Sequence, residues 1–223
     1  MKINRRQFVR NLGLGTASLS MGSLISTSSC APSGDSRDKR GKVSDDDQFL
    51  FIGDDIAIAQ TEYGKVQGYL LNHVYTFLGV PYGADTSGKN RFMPPQKPEP
   101  WTDVRPAVFY GNTAPQRMEN RWPNNYGTFA DHWNYWDVSE DCLYLNVWTP
   151  GIADGKRRPV LVWLHGGGFT NGSGIEQDGY HGENISREGD IVFCSINHRL
   201  GPIGFSDLSG VGGEAYKDSG ADF

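Results

Sequence analysis

The pattern of apolar and polar positions predicts short strands from residue 56 onward. Apolar residues alternate with polar ones over residues 56–71, interrupted by Tyr63-Gly64, which is typical of a β-hairpin. Residues 74–78 predict a further strand. Residues 79–100 are rich in proline and glycine, which excludes a helix, so we expect this segment to wrap the surface.

Three apolar runs further along predict the strands of a layered domain. They cover residues 143–149, 160–164 and 191–196, and the last two show little alternation, as expected of central strands buried on both faces. Residues 182–188 predict a short helix between them. Strand, loop, short helix and strand in this order predict an α/β domain.

A long polar segment, residues 112–139, separates the two halves of this pattern. Its aromatic residues are Trp122, Tyr126, Phe129, Trp133, Tyr135 and Trp136. A segment of this length without regular structure is usually functional or anchored along an edge. Two interpretations stay open, a rim that lines a substrate gorge and a set of aromatic anchors that fix the loop to the body.

Composition narrows the functional classes. The 223 residues carry 21 Lys and Arg against 26 Asp and Glu, a formal net charge of -5, so we expect no basic face for nucleic acid. No apolar run reaches the ~20 residues that a membrane span needs. The three cysteines lie too far apart in the sequence for a zinc site, and the five histidines form no H-x-x-x-H pair, so we expect no metal.

The first 29 residues predict an export signal. A basic start contains Arg5-Arg6, which resembles the twin-arginine signal of exported bacterial proteins, and a weakly apolar stretch follows. Cys30 follows small residues that resemble a lipobox and is a candidate for lipidation; ordinary signal cleavage nearby is the alternative. Residues 30–47 predict a flexible polar tether and residues 48–223 the folded part. We therefore expect an exported bacterial protein, periplasmic or anchored to the membrane as a lipoprotein.

A glycine run directly after the predicted strand 160–164 carries the candidate chemistry. Its sequence is His165-Gly166-Gly167-Gly168-Phe169. Successive glycines have no Cβ and adopt positive φ, so their N–H groups can point at one spot and bind an anion. HGGG-type loops of this kind supply part of the oxyanion hole in lipases and esterases. On this motif alone, a flexible glycine turn is the alternative.

Further motifs occur in a fixed order around this loop. They are GKVQG at 64–68, FLGVPYG at 77–83, Arg91-Phe92 with Pro94-Pro95, Trp101, SEDCLYLNVW at 139–148, PVLVWLHGGGF at 159–169 and NHRLGPIGF at 197–205. Together they resemble the type-B carboxylesterase and cholinesterase family over residues 56–223. The resemblance implies the α/β-hydrolase fold, of which this chain holds the N-terminal part of the central mixed sheet. It also implies a serine esterase that hydrolyses small-molecule carboxylic esters through an acyl-enzyme, without a cofactor.

The resemblance implies roles for individual residues. Gly167 and Gly168 match the two glycines whose backbone N–H groups form most of the family's oxyanion hole, and His165 is a loop residue, not the catalytic base. An internal ion pair is implied between Arg91 and Glu140, and Asp141 and Arg199 are candidates for a similar structural pairing. The residue that matches Cys142 often bonds to an upstream cysteine, which residues 112–120 lack.

The catalytic residues themselves are missing from the chain. The nucleophile elbow G-x-S-x-G does not occur, and the resemblance places it just downstream of the segment matching residues 217–223, with the acid and the base later. We expect a chain truncated before the nucleophile elbow and inactive by itself, from a truncated gene, an incomplete sequence or a split reading frame. The alternatives are a non-catalytic binding module of the same fold and a surface protein that stacks saccharides on Trp122, Trp133 and Trp136.

Overall fold

A computed structural model describes residues 49–117 and 137–219. The export signal, Cys30, the tether and the aromatic residues from Trp122 to Trp136 lie outside the described residues, so the predictions made for them stay predictions. Within the described residues, every helix is too short or too polar to cross a membrane.

Nine strands and two α-helices form in the described part of the chain. The strands are β1 (Leu50–Phe51), β2 (Ile58–Gln60), β3 (Lys65–Gln67), β4 (Tyr69–Leu71), β5 (Val74–Pro81), β6 (Arg105–Pro106), β7 (Tyr144–Thr149), β8 (Val160–Leu164) and β9 (Val192–Ile196). The helices are α1 (Glu183–Gly189) and α2 (Gly201–Phe205). Single 3-10 turns cover Gly88–Asn90, Asp178–Tyr180 and Glu214–Tyr216.

The strands form two sheets. The larger sheet has six strands in the order β1-β4-β5-β7-β9-β8, and only the pair β8 and β9 is parallel. The smaller sheet contains the predicted hairpin, β2 and β3, with β6 parallel to β3. The mixed sheet with a helix between β8 and β9 confirms the predicted α/β class.

Strand β5 runs three residues further than the sequence predicts. The pairing of β5 with β7 shifts between Phe77 and Val80, and Gly79 takes a φ of +66° at this bulge. A Cβ at Gly79 would lie 2.5 Å from the carbonyl oxygen of Phe109, so the close approach requires glycine. The N–H of Gly79 donates to Asn146 Oδ1 at 3.0 Å, which ties the bulge to β7. The glycine therefore bends the strand without ending it.

The core lies where β5, β7 and β9 pack under α1. Trp148 on β7 is 1% exposed and contacts the rings of Phe193 and His181, at centroid distances of 5.8 and 5.0 Å. The buried hydroxyl of Ser186 donates to the carbonyl of Trp148 at 3.0 Å and fastens α1 to the sheet. Helix α1 occurs at the predicted place, and β9 is the buried strand that the apolar run predicts.

Strand β8 differs from its prediction. The apolar run predicts a central strand buried on both faces, but β8 lies at the edge of the larger sheet within the described residues. All five of its side chains are exposed, from 37% at Trp163 to 64% at Val160 and Leu164. One reason is that β9 is its only strand partner among the described residues, so one edge of β8 has no neighbouring strand.

Candidate oxyanion site

The loop after β8 has the backbone conformation that glycine alone adopts without strain. Gly167 has a φ of +126° and Gly168 a φ of +62°. A Cβ at Gly167 would collide with the carbonyl oxygen of Asn171, whereas a Cβ at Gly168 would meet open space. Gly167 is therefore required by contact as well as by conformation, and Gly168 by conformation alone.

The same loop closes on itself through one carbonyl. Gly167 O accepts hydrogen bonds from the backbone N–H groups of Thr170 and Asn171, both at 3.2 Å, and from the Thr170 hydroxyl at 3.1 Å. By contrast, the N–H groups of Gly167 and Gly168 donate to none of the described residues. The turn therefore fixes the carbonyl and leaves these two donors for a ligand.

An open, mostly apolar cavity of about 430 Å³ lies beside these glycines. Its apolar lining residues are Leu164, Phe169, Ile196, Leu200 and Phe205. The rings of Phe169 and Phe205 meet edge to face with their centroids 5.0 Å apart. Two backbone donors next to an apolar wall suit a substrate with one polar carbonyl and an apolar remainder.

Two histidines stack beneath the loop. The rings of His165 and His198 are nearly parallel, at 5°, with their centroids 4.5 Å apart. Nδ1 of His165 lies 2.8 Å from the carbonyl oxygen of Gly166, and Nδ1 of His198 lies 2.8 Å from that of Arg199. Because a carbonyl oxygen only accepts, each Nδ1 carries a proton in this arrangement. His198, for which the sequence alone predicts no role, also lines the cavity.

The structure contains the ion pair between Arg91 and Glu140. Arg91 Nε donates to Glu140 Oε2 at 2.8 Å, and this hydrogen bond raises the pKa of the guanidinium. The Arg91 side chain is 46% exposed, so the pair is not internal as the resemblance implies. It joins the proline-rich wrap to the segment that precedes β7.

Asp141 and Arg199 do not form the second ion pair in the described structure. The carboxylate of Asp141 accepts a hydrogen bond from the Tyr144 hydroxyl at 2.8 Å. The guanidinium of Arg199 instead donates to the carbonyl of Met93 at 2.8 Å. Both side chains therefore anchor local structure, but they do so with separate partners.

The two cysteines that the structure describes are free and buried. Cys142 packs in one apolar cluster with Ala114, Leu143 and Leu200. Burial raises the pKa of Cys142 to about 12 and that of Cys194 to about 11. Within residues 49–117 and 137–219, no three His, Cys, Asp or Glu side chains come together as a metal site.

Comparisons with known proteins identify the family. A model of the carboxylesterase family matches residues 55–214. The chain is 45% identical over 157 residues to a phenmedipham hydrolase of Pseudarthrobacter oxydans, covering 70% of this chain and 30% of the relative. It is 39% identical over 165 residues to the para-nitrobenzyl esterase of Bacillus subtilis, covering 73% of this chain and 31% of the relative.

Solved structures give the same assignment. An esterase from Clostridium hathewayi that can hydrolyse aliphatic aromatic polyesters superposes with a TM-score of 0.68 at 36% identity, covering 78% of this chain and 33% of that one. The chain thus spans about a third of the length of the relatives it matches. The protein belongs to the carboxylesterase family, and its larger sheet is part of an α/β-hydrolase fold.

Proposed function

We propose that the protein containing these residues hydrolyses small-molecule carboxylic esters through a serine acyl-enzyme. In this reaction the nucleophile adds to the ester carbonyl, the carbonyl oxygen becomes an oxyanion, and the alcohol leaves before water releases the acid. The residues of this chain supply the stabilisation of that oxyanion. The nucleophile, the acid and the base come from residues that these 223 positions do not include.

The proposal rests on two backbone N–H groups that lack an acceptor within the described part of the chain. The N–H groups of Gly167 and Gly168 have no acceptor among the described residues, and they lie beside an apolar cavity. Donors that are fixed before the reaction stabilise developing charge without reorganising, and each contributes on the order of 100-fold in kcat. A tetrahedral oxyanion is the species that such an arrangement favours.

The test measures ester hydrolysis by the full product of the gene. The substrate panel is p-nitrophenyl acetate, a p-nitrobenzyl ester and phenmedipham, the last two because the relatives are named for them. Gly167→Ala is the site variant, since its Cβ would collide with Asn171. Gly155→Ala is the matched control, because Gly155 also has a left-handed φ, at +74°, but a Cβ there would have no neighbouring atom within 4 Å.

We expect Gly167→Ala to lower kcat by about 100-fold or more, and Gly155→Ala to lower the melting temperature slightly without changing kcat. A full gene product that turns over none of the three substrates would overturn the proposal. Saturable binding of the same esters without turnover would favour the non-catalytic binding module instead.

We also propose that residues 31–223 by themselves are inactive. An oxyanion hole without a nucleophile leaves only a small residual rate above that in water. Turnover of p-nitrophenyl acetate by this segment above that of its Gly167→Pro variant would contradict this proposal.

Export and lipid attachment are a separate proposal that rests on the sequence alone. The twin-arginine-like start and Cys30 support an exported protein, either periplasmic or held at the membrane by an acyl chain on Cys30. We expect radiolabelled palmitate to be incorporated in cells, and Cys30→Ala to abolish the label. Retention of the wild-type protein in the cytoplasm would contradict it.

A further inference from the structure

Gln116 contacts the loop that carries the candidate oxyanion donors, residues 165–174, although it lies 56 residues before Gly172 in the chain. The N–H of Gly172 donates to Gln116 Oε1 at 2.8 Å, and Gln116 Nε2 donates back to Gly172 O at 2.9 Å. Gln116 Nε2 also donates to the carbonyl of Ala114 at 3.1 Å, which orients the carboxamide. A two-point contact of this kind fixes both the position and the orientation of the backbone at Gly172.

Gly172 is in direct contact with the first two residues of the same loop, His165 and Gly166. It has a φ of +109°, and a Cβ at this position would collide with the carbonyl oxygen of Gly166 and the ring of His165. Because the two backbone segments touch with no side chain between them, a shift of Gly172 moves His165 and Gly166. These two residues directly precede the donors of Gly167 and Gly168.

The segment that carries Gln116 also holds the loop at a second point. The N–H of Gly174 donates to Asn197 Oδ1 at 2.8 Å, and Asn197 Nδ2 donates to the carbonyl of Asn112 at 2.9 Å. Asn197 is 3% exposed, so this chain of hydrogen bonds is shielded from water. Residues 112–116 therefore contact the loop directly through Gln116 and indirectly through Asn197.

Residues 112–116 are themselves fixed to the body of the protein. The N–H of Thr113 donates to the carbonyl of Asp137 at 2.8 Å, and the N–H of Ser139 donates to the carbonyl of Thr113 at 3.0 Å. Thr113 is fully buried. Gln116 thus reaches the loop from a backbone that is already held in place.

We propose that Gln116 is a positioning residue for the oxyanion hole, acting through Gly172 on the donors of Gly167 and Gly168. This inference rests on the proposed function, because it assigns Gln116 a part in ester hydrolysis. Gln116 holds the loop in the geometry that the transition state needs and does not itself bind the ester. Its loss should therefore affect kcat more than KM.

The test compares Gln116→Leu, Gln116→Glu and Gln67→Leu in the full gene product. Leucine removes both contacts with Gly172, whereas glutamate keeps an acceptor for the Gly172 N–H and loses the donor to its carbonyl. Gln67 is the matched control, because it is also half-buried and donates to a backbone carbonyl, that of Gly53, but lies on β3 in the smaller sheet. The readouts are kcat and KM for p-nitrophenyl acetate and backbone hydrogen exchange over residues 165–172.

We expect Gln116→Leu to lower kcat by about 10- to 100-fold with KM changed less than about 3-fold, because small misplacements of catalytic groups reduce rates by such factors. Gln116→Glu should also lower kcat, because its carboxylate keeps the acceptor for the Gly172 N–H but sets its second oxygen against the carbonyl oxygens of Gly172 and Ala114. Gln67→Leu should match the wild type. Exchange over residues 165–172 should be faster in both Gln116 variants. If Gln116→Leu does not fold, Gln116→Glu decides by the same two readouts.

Two results would overturn the inference: a kcat of the Gln116 variants equal to that of Gln67→Leu, or loop exchange unchanged from the wild type. A wild-type gene product without ester hydrolysis would overturn the proposed function instead. Loop exchange then tests the positioning separately: faster exchange in the two Gln116 variants than in Gln67→Leu would retain it, and exchange equal to that of Gln67→Leu would overturn it.

Discussion

Strands β8 and β9 are parallel neighbours with similar apolar sequences but opposite surroundings. β9 pairs with β7 on one side and β8 on the other, and its three central residues are all buried. β8 has β9 alone as a strand partner among the described residues, and its five side chains are 37 to 64% exposed. The comparison shows that an apolar run predicts a strand but not its burial, because burial depends on where the strand lies in the sheet.

The exposed strand nevertheless ends in an ordered loop. Residues 165–174 are tied to Gln116 and Asn197 by hydrogen bonds, and neither partner belongs to β8. The geometry of the candidate site is therefore fixed by the β9 side and by residues 112–116 as well as by the end of β8, which is paired with β9 as far as Leu164.

The largest expected effect on stability comes from placing a lysine at one or the other of two paired positions, one on each strand. Val162 and Cys194 are opposite each other in the register of β8 and β9, but they are 52% and 8% exposed. We expect Cys194→Lys to abolish cooperative unfolding of residues 31–223, because an ammonium without a partner is strongly disfavoured in the core. Val162→Lys should change the free energy of unfolding by less than about 0.5 kcal/mol.

Urea titration followed by circular dichroism measures both variants. Equal destabilisation by the two lysines would contradict the exposure of β8. In the full gene product, a large effect at Val162 as well would show that further residues cover this strand.

A second effect concerns Asn197, which follows β9 and links it to the loop. Asn197→Ala leaves the N–H of Gly174 and the carbonyl of Asn112 without their partner in a buried place. We expect a loss of about 2 to 4 kcal/mol in the free energy of unfolding, since each buried polar group left unpaired destabilises by about 1–3 kcal/mol. The control is Asn184→Ala on the exposed face of α1, where we expect less than about 0.5 kcal/mol.

The smallest effect is a pH dependence that comes from the buried thiols. The unfolded chain ionises its cysteines near the ordinary pKa of 9.0, whereas burial holds the pKa of Cys142 at about 12 and that of Cys194 at about 11. Above pH 9 the native state binds more protons than the unfolded state, so stability falls as the pH rises. We expect Cys142→Ala to flatten this fall between pH 9 and 11 in urea titrations. An unchanged slope would contradict the shifted pKa of Cys142.

Local pattern predicts most of the framework of this fold. Helix α1 and strands β7, β8 and β9 all occur within one residue of their predicted bounds. The hairpin around Tyr63-Gly64 forms as predicted but is shorter than the alternating stretch 56–71, because residues 69–71 form β4 in the larger sheet. Strands β1 and β6 have only two residues each, which is too short for a period to show. The pattern does not predict helix α2, because its sequence, Gly-Pro-Ile-Gly-Phe, contains the residues least favourable to a helix.

The site is predictable only where its chemistry is local. The conformations of Gly167 and Gly168 follow from three successive glycines after a strand, and the structure shows left-handed backbone there. The contact between Gln116 and Gly172 joins residues far apart in sequence through two hydrogen bonds. A contact of this kind produces no recurring pattern in the sequence. For the same reason the sequence does not reveal the partner of Arg199, which is the carbonyl of Met93, 106 residues away.

An isolated parallel β-bridge pairs Thr113 with Val138, one on each side of the segment 118–136. The bridge fixes the backbone shortly before Gln116 and shortly before Glu140. The free energy of closing such a segment grows only with the logarithm of its length, about 0.6 kcal/mol for each doubling. We therefore expect insertions and deletions within residues 118–136 to leave this bridge and the hydrogen bonds between Gln116 and Gly172 in place.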